Sequence, residues 1–134
     1  MTARGTELIL VVEDDAQVRE ITSRTLRAGG YQVEVANHPQ AVLDLTDEQL
    51  RAVQLLVTDM VMPGLDGHAL AQRLQQRHPR LRVLFVSGYT QDALTEHVVL
   101  AEGIDLLAKP FTGPTLLARV RATLDAAHRE EPTD

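Results

Sequence analysis

Two acidic stretches hold the side chains best suited to chemistry. Glu13-Asp14-Asp15 follows the apolar run Leu8-Ile9-Leu10-Val11-Val12, and Asp59 follows Leu55-Leu56-Val57 with only Thr58 between. Gathered in one crevice, Glu13, Asp14 and Asp59 would repel one another, which raises carboxyl pKa values or demands a cation. No Lys or Arg adjoins either stretch in sequence. Hard carboxylate oxygens with few other protein ligands suit Mg²⁺, which keeps several waters and is completed by a phosphate. A carboxylate can also attack phosphorus and form an acyl phosphate, which makes Asp59 a candidate nucleophile. Asp15 reads instead as the N-cap of the helix after the first run, and Asp66 as the cap of a later helix. Pro63-Gly64 and Asp66-Gly67 are tight-turn signals that would hold the loop after Asp59 in one shape. Lys109, ahead of Pro110, is placed in extended backbone and could offer an ammonium to a phosphoryl oxygen. Ser87 could add a hydroxyl hydrogen bond to the same group.

These residues come together only if the elements between them fold in one way. The apolar runs at Leu8–Val12, Val33 and Val35, Leu55–Val57, Val83–Val86 and Ile104 to Ala108 read as five strands covered on both faces, with Val33 and Val35 alternating with polar residues. Between them lie helical stripes. Val18, Ile21, Thr22, Thr25 and Leu26 form the first, stopped by Gly29-Gly30. Ala41, Val42 and Leu45 mark the second, after Pro39. Leu70, Ala71 and Leu74 mark the third, ending before His78-Pro79. Leu94, Val98 and Val99 mark the fourth, from near Asp92. Leu116, Leu117, Val120 and Leu124 mark the fifth, entered by Pro114. A βα unit repeated five times predicts an α/β fold, with helices on both faces of a parallel five-stranded sheet. In such sheets ligands sit beyond the carboxyl ends of the strands, where Glu13, Asp14, Asp59, Ser87 and Lys109 all fall.

Composition narrows the function further. The 134 residues carry 13 basic and 19 acidic side chains, a formal charge of −6. That balance argues against nucleic-acid binding by this domain, since phosphate backbones call for clustered Lys and Arg. The absence of cysteine excludes a disulfide scaffold, a thiolate metal site and a Cys nucleophile. No apolar run approaches the ~20 residues that span a bilayer, and Met1 to Glu7 has no signal-peptide h-region, so a cytoplasmic location is expected. One domain over residues 1–134 is expected, with a core from about 8 to 127 and polar tails. The five histidines show no metal-ligand spacing and read as surface or capping residues. Neither a P-loop nor G-x-G-x-x-G occurs.

In order along the chain, VVEDD (residues 11–15), DMVMPGLDG (59–67), VSGYT (86–90) and LLAKPF (106–111) resemble the receiver domain of bacterial two-component response regulators. The likeness runs from about Leu8 to Ala127. It implies a flavodoxin-like three-layer sandwich of strand order 2-1-3-4-5. It implies that Asp59 is the phosphoacceptor, and that Asp59, Asp14 and Glu13 hold Mg²⁺ together with the backbone carbonyl of Val61. Ser87 would be the switch hydroxyl, Lys109 the phosphate contact, and Pro110 the proline that follows it. The implied function is phosphorelay signalling: a sensor histidine kinase or phosphotransfer protein phosphorylates the domain, which then changes conformation. A receiver of this kind catalyses its own phosphorylation and dephosphorylation and is not a metabolic enzyme. The state implied is a monomer or a weak phosphorylation-dependent dimer through the face of the fourth helix, fifth strand and fifth helix. No membrane partner is implied.

Three positions depart from the common pattern. Leu106 stands where many receivers carry the switch aromatic, so coupling is expected to run through the loop after the fourth strand and its helix. Val61 and Tyr89 are expected to flank the phosphoryl group and hinder an attacking water. LFVSGYTQDALTEH (84–97), with GTELILVVEDD (5–15) and KPFTGPTLLARVRATLD (109–125), is similar to the C-terminal receivers of hybrid sensor histidine kinases, so an attached kinase core in the full-length protein is a further expectation. Competing readings are a phosphorylation-independent scaffold and a Mg²⁺-dependent phosphohydrolase, though the latter typically carries D-x-D after the first strand. A nucleotide- or flavin-binding module is the third, though an acidic loop there repels phosphate.

Overall fold

The computed structural model describes residues 6–60, 66–87, 105–108 and 111–130, with only the backbone for Ser87, Leu106 and a few others. Five parallel strands, β1 (Leu8–Val12), β2 (Gln32–Ala36), β3 (Leu55–Asp59), β4 (Arg82–Ser87) and β5 (Asp105–Ala108), form one sheet in the order β2-β1-β3-β4-β5. Both the parallel sheet and its order match the sequence expectation.

The period-2 alternation of strands divides the core in two. Ile9, Val11, Leu55, Val57, Leu84 and Val86 pack with Leu26, Leu116, Val120 and Leu124, under α1 (Ala16–Ala28) and α5 (Gly113–Glu130). Leu10, Val12, Leu56 and Phe85 face the other way, onto Val42, Leu50, Leu70 and Leu74. Those come from α2 (Pro39–Leu43), α3 (Asp47–Ala52) and α4 (Gly67–Arg77). The result is three layers, with each buried aliphatic side chain contributing about 1.5–3 kcal/mol.

Helix ends follow their cap residues. Asp15 accepts from the backbone N–H groups of Gln17 and Val18, as its position predicted. Past α1, Gly30 adopts φ 98°, a left-handed conformation that favours glycine, and Tyr31 N–H returns to the Leu26 carbonyl at 3.2 Å. Thr112 Oγ1 accepts from Thr115 N–H at 3.2 Å, which places Pro114 in the first turn of α5.

Three features differ from the sequence reading. The single helix expected around Ala41–Leu45 is two short helices, with Leu45 in the turn between them. The break has a local cause: Thr46 and Gln49 form a reciprocal capping box that starts α3 afresh. Ile21, placed on the buried stripe of α1, is 59% exposed. The buried arc there is Thr22, Ser23 and Leu26, and Ile21 lies about 100° round the helix from Thr22. Third, β2 lies at the sheet edge and has no fully buried residue, rather than being covered on both sides. The helix expected over Leu94–Val99 lies outside the described residues.

Among the described residues, no helix is long and apolar enough to cross a membrane.

Candidate functional site

The register of the strands carries the acidic residues to one edge. Val12 pairs with Thr58 across β1 and β3, so the next residues, Glu13 and Asp59, leave the sheet side by side. The carboxylates of Glu13, Asp14 and Asp59 each offer an oxygen, and these oxygens all lie within 4.8 Å of one another. Glu13 and Asp59 are buried, at 2% and 8% exposure, while Asp14 faces solvent. Asp15, one residue on, is spent on the α1 cap and does not join them.

The backbone around the trio is tied down on every side. Glu13 N–H donates to the Ala36 carbonyl at 3.1 Å, continuing the β1–β2 ladder by one step. Asp15 N–H donates to Glu13 Oε2 at 3.3 Å. Beyond Asp59, Met60 N–H donates to Val86 O at 2.9 Å, and Gly67 N–H donates to Met60 O at 2.8 Å. The Thr58 hydroxyl donates to the Asp59 carbonyl at 3.0 Å.

Asp66 caps α4 by accepting from Ala69 N–H at 2.7 Å, in the role its place before Gly67 predicted. Asp66→Ala is expected to lower stability by about 1 kcal/mol, read from the urea midpoint.

Sequence spacing missed Arg19. Its guanidinium donates to the Glu13 carbonyl at 2.9 Å, which brings a cation to the acidic edge although none adjoins it in sequence. The position, at the end of the first turn of α1, is the signal that could have found it. The arginine bonds to the backbone carbonyl of Glu13 and not to its carboxylate.

The oxygens suit one small divalent ion. Octahedral Mg²⁺ at ~2.1 Å sets neighbouring oxygens ~3 Å apart and opposite ones ~4.2 Å apart. Three carboxylate oxygens within 4.8 Å of one another are close enough for a single cation to draw on all three residues, directly or through its waters.

Ser87 pairs with Ala108 in the β4–β5 register, so its backbone stands at this same edge, one residue beyond the Val86 that pairs with Asp59. Leu106 stands opposite Phe85. The side chains of Ser87 and Leu106, and all of Val61, Tyr89, Lys109 and Pro110, lie outside the described residues.

Of the histidines, His38 caps α2 by accepting from Gln40 N–H at 3.0 Å. His78 Nε2 lies 2.9 Å from the Val53 carbonyl, and the His68 ring lies against Phe85 at 6.1 Å. None of these three joins the acidic trio.

Comparison with known proteins agrees with this geometry. Residues 9–121 match the family described as response regulator receiver domain. The chain is 34% identical over 121 residues to the sensor kinase CckA of Brucella abortus (strain 2308), covering 90% of this chain and 13% of that protein. It is 38% identical over 128 residues to the response regulator MprA of Mycobacterium avium (strain 104), covering 94% of this chain and 53% of that protein. It therefore spans about an eighth and about half, respectively, of these two relatives. The solved receiver domain of the hybrid histidine kinase CckA superposes with a TM-score of 0.73 at 34% identity, covering 87% of this chain and 98% of that one.

Proposed function

The chain belongs to the response regulator receiver domains, and on that premise we propose that Asp59 accepts the phosphoryl group, with Glu13 and Asp14 completing a Mg²⁺ site beside it. As a family member it is a phosphorylation-dependent signalling receiver rather than a metabolic enzyme. The observation that carries the assignment is the convergence of three carboxylates at the strand ends, with Asp59 almost buried among them. Three carboxylates gathered at one strand edge repel one another, an arrangement worth retaining where their charge is used.

The chain's own residues do most of the work by position. The clamped backbone of Asp59 aims its carboxylate oxygen at the phosphorus of a phosphohistidine on a kinase or phosphotransfer partner. An oxygen–phosphorus bond forms, the phosphorus–nitrogen bond breaks, and the imidazole departs. Bound Mg²⁺ supplies positive charge that offsets repulsion between the carboxylates and the incoming phosphoryl group. Glu13 and Asp14 hold that charge in place, and Lys109 is proposed to meet a phosphoryl oxygen with its ammonium. Ser87 donates its hydroxyl to another. Hydrolysis by water then returns the Asp59 carboxylate and inorganic phosphate.

Contacts made only in the phosphorylated state bias a two-state element, which is how a local charge becomes a signal. With Leu106 at the β5 position opposite Phe85 in place of an aromatic, the loop after β4 is the proposed carrier.

The deciding experiment incubates the protein with Mg²⁺ and a small phosphodonor and weighs it intact. A phosphate adduct is expected, and no adduct under any donor would overturn the proposal.

Val61 and Tyr89 are proposed to shield the acyl phosphate from water. Val61→Asn and Tyr89→Ala are each expected to speed loss of the adduct several-fold in a time course after donor removal. Unchanged decay in both would refute the shielding role.

A further inference from the structure

At the acidic edge, a residue without a side chain packs directly on the backbone of Asp59. Gly67 is the first residue of α4 and is buried. A Cβ built on it would press into the carbonyl oxygen of Asp59, at 3.0 Å from the Asp59 carbonyl carbon and 3.2 Å from the Met60 Cα. All three are backbone atoms, which cannot swing aside as a flexible side-chain tip can. Either the start of α4 or the end of β3 would have to move.

That carbonyl is also gripped elsewhere. The Thr58 hydroxyl donates to it at 3.0 Å. The peptide beyond it is bonded to β4 through Met60 N–H and to α4 through Gly67 N–H. The Asp66 cap fixes the first turn of α4, so the helix end is a firm stop and not a loose neighbour.

We propose that Gly67 is a positioning residue for the phosphoacceptor. Its missing Cβ lets the first turn of α4 seat directly on the Asp59–Met60 peptide. The carbonyl held between Gly67 and the Thr58 hydroxyl sets where the Asp59 carboxylate stands relative to Glu13 and Asp14. The inference rests on the reading of Asp59 as acceptor and names the residue that holds it in register.

A glycine elsewhere supplies the control. At Gly29 a Cβ would meet Leu117 Cδ2 at 2.7 Å, a side-chain tip, at the far end of α1. Thirteen residues of helix put that end ~20 Å from the acidic edge.

Gly67→Ala and Gly29→Ala are compared in three measurements: the melting midpoint, Mg²⁺ affinity from titration with Mg²⁺ alone, and the rate of adduct formation with a small phosphodonor. Both variants are expected to melt lower than the parent. Gly67→Ala should bind Mg²⁺ about tenfold more weakly. It should accept the phosphoryl group about 100-fold more slowly, the usual cost of a displacement near 1 Å. Gly29→Ala should keep the parent's affinity and rate. A folded Gly67→Ala with the parent's affinity and rate overturns the proposal, as does an equal loss in Gly29→Ala.

Should Gly67→Ala fail to fold, Thr58→Val removes the hydroxyl from the same carbonyl with little change of shape. It is expected to weaken Mg²⁺ binding with the fold intact, and an unchanged affinity then refutes the inference. A parent protein that takes no adduct would sink the acceptor reading alone, because the Mg²⁺ titration still decides the role of Gly67.

Discussion

Asp59→Asn is expected to abolish the phosphate adduct completely and, in metal-free buffer, to melt higher than the parent. The first half follows from replacing the nucleophilic carboxylate with a neutral carboxamide. The second follows from crowding. Glu13 and Asp59 are both buried, with carboxylate oxygens within 4.8 Å. At an effective dielectric near 20, two unit charges at that distance repel by on the order of 3 kcal/mol. Solvent at the exposed Asp14, the neighbouring Arg19 guanidinium and the other groups that Glu13 and Asp59 meet reduce what is recovered, so a gain of about 1 kcal/mol, or roughly 4 °C, is the expected size. Added Mg²⁺ should raise the parent's midpoint by mass action and raise the variant's far less. Together, the three results separate a carboxylate kept for its charge from one kept for its packing. A variant that melts lower than the parent without metal would show that the protein's own groups already compensate Asp59.

The same crowding explains why the site was legible in the sequence. A carboxylate directly after an apolar run marks a strand end, and a parallel sheet brings its strand ends to one side. Once the resemblance to receivers made Leu8–Val12 and Leu55–Val57 parallel neighbours, Glu13 and Asp59 had to meet. Caps were legible for a similarly local reason: Asp15 and Asp66 act within three residues of themselves. Legibility ended where several weak local signals compete or where partners are distant. The start of α3 was written in Thr46 and Gln49, yet Leu45 continued the apolar spacing of α2 and hid the break. Ile21 fits a stripe by count, and only the docking of α1 through Thr22, Ser23 and Leu26 turns it outward. Gly67 announced a turn. That it also had to be bare against the Asp59 carbonyl follows from tertiary contact alone.

Arg121 was beyond reach of any spacing rule, because its partner lies 114 positions away. From α5 it donates to Glu7 Oε2 at 2.7 Å and Oε1 at 3.2 Å, and it also meets Asp125 one turn along its own helix. It thereby ties the C-terminal helix to the residue before β1. The side chains of Arg121 and Glu7 are only 22% and 16% exposed, so removing one leaves the other poorly hydrated. Arg121→Met, which keeps much of the apolar stem, is expected to cost about 2–3 kcal/mol in urea denaturation at neutral pH, the lower side of what breaking a buried pair costs.

The pH dependence identifies the cause. The Arg121 hydrogen bonds hold the Glu7 carboxyl below its ordinary value of 4.5, against the opposing effect of burial. A carboxyl with a depressed folded pKa contributes stability that is full above its unfolded value and lost as pH falls through the folded one. The gap between parent and Arg121→Met should therefore be constant near neutrality and narrow below about pH 4.5. On the alkaline side, burial pushes the Tyr31 phenol above 10.0, so the parent's stability declines as pH rises past that value. A gap that stayed constant down the acid limb would mean that Arg121 acts through the packing of its stem rather than through its charge.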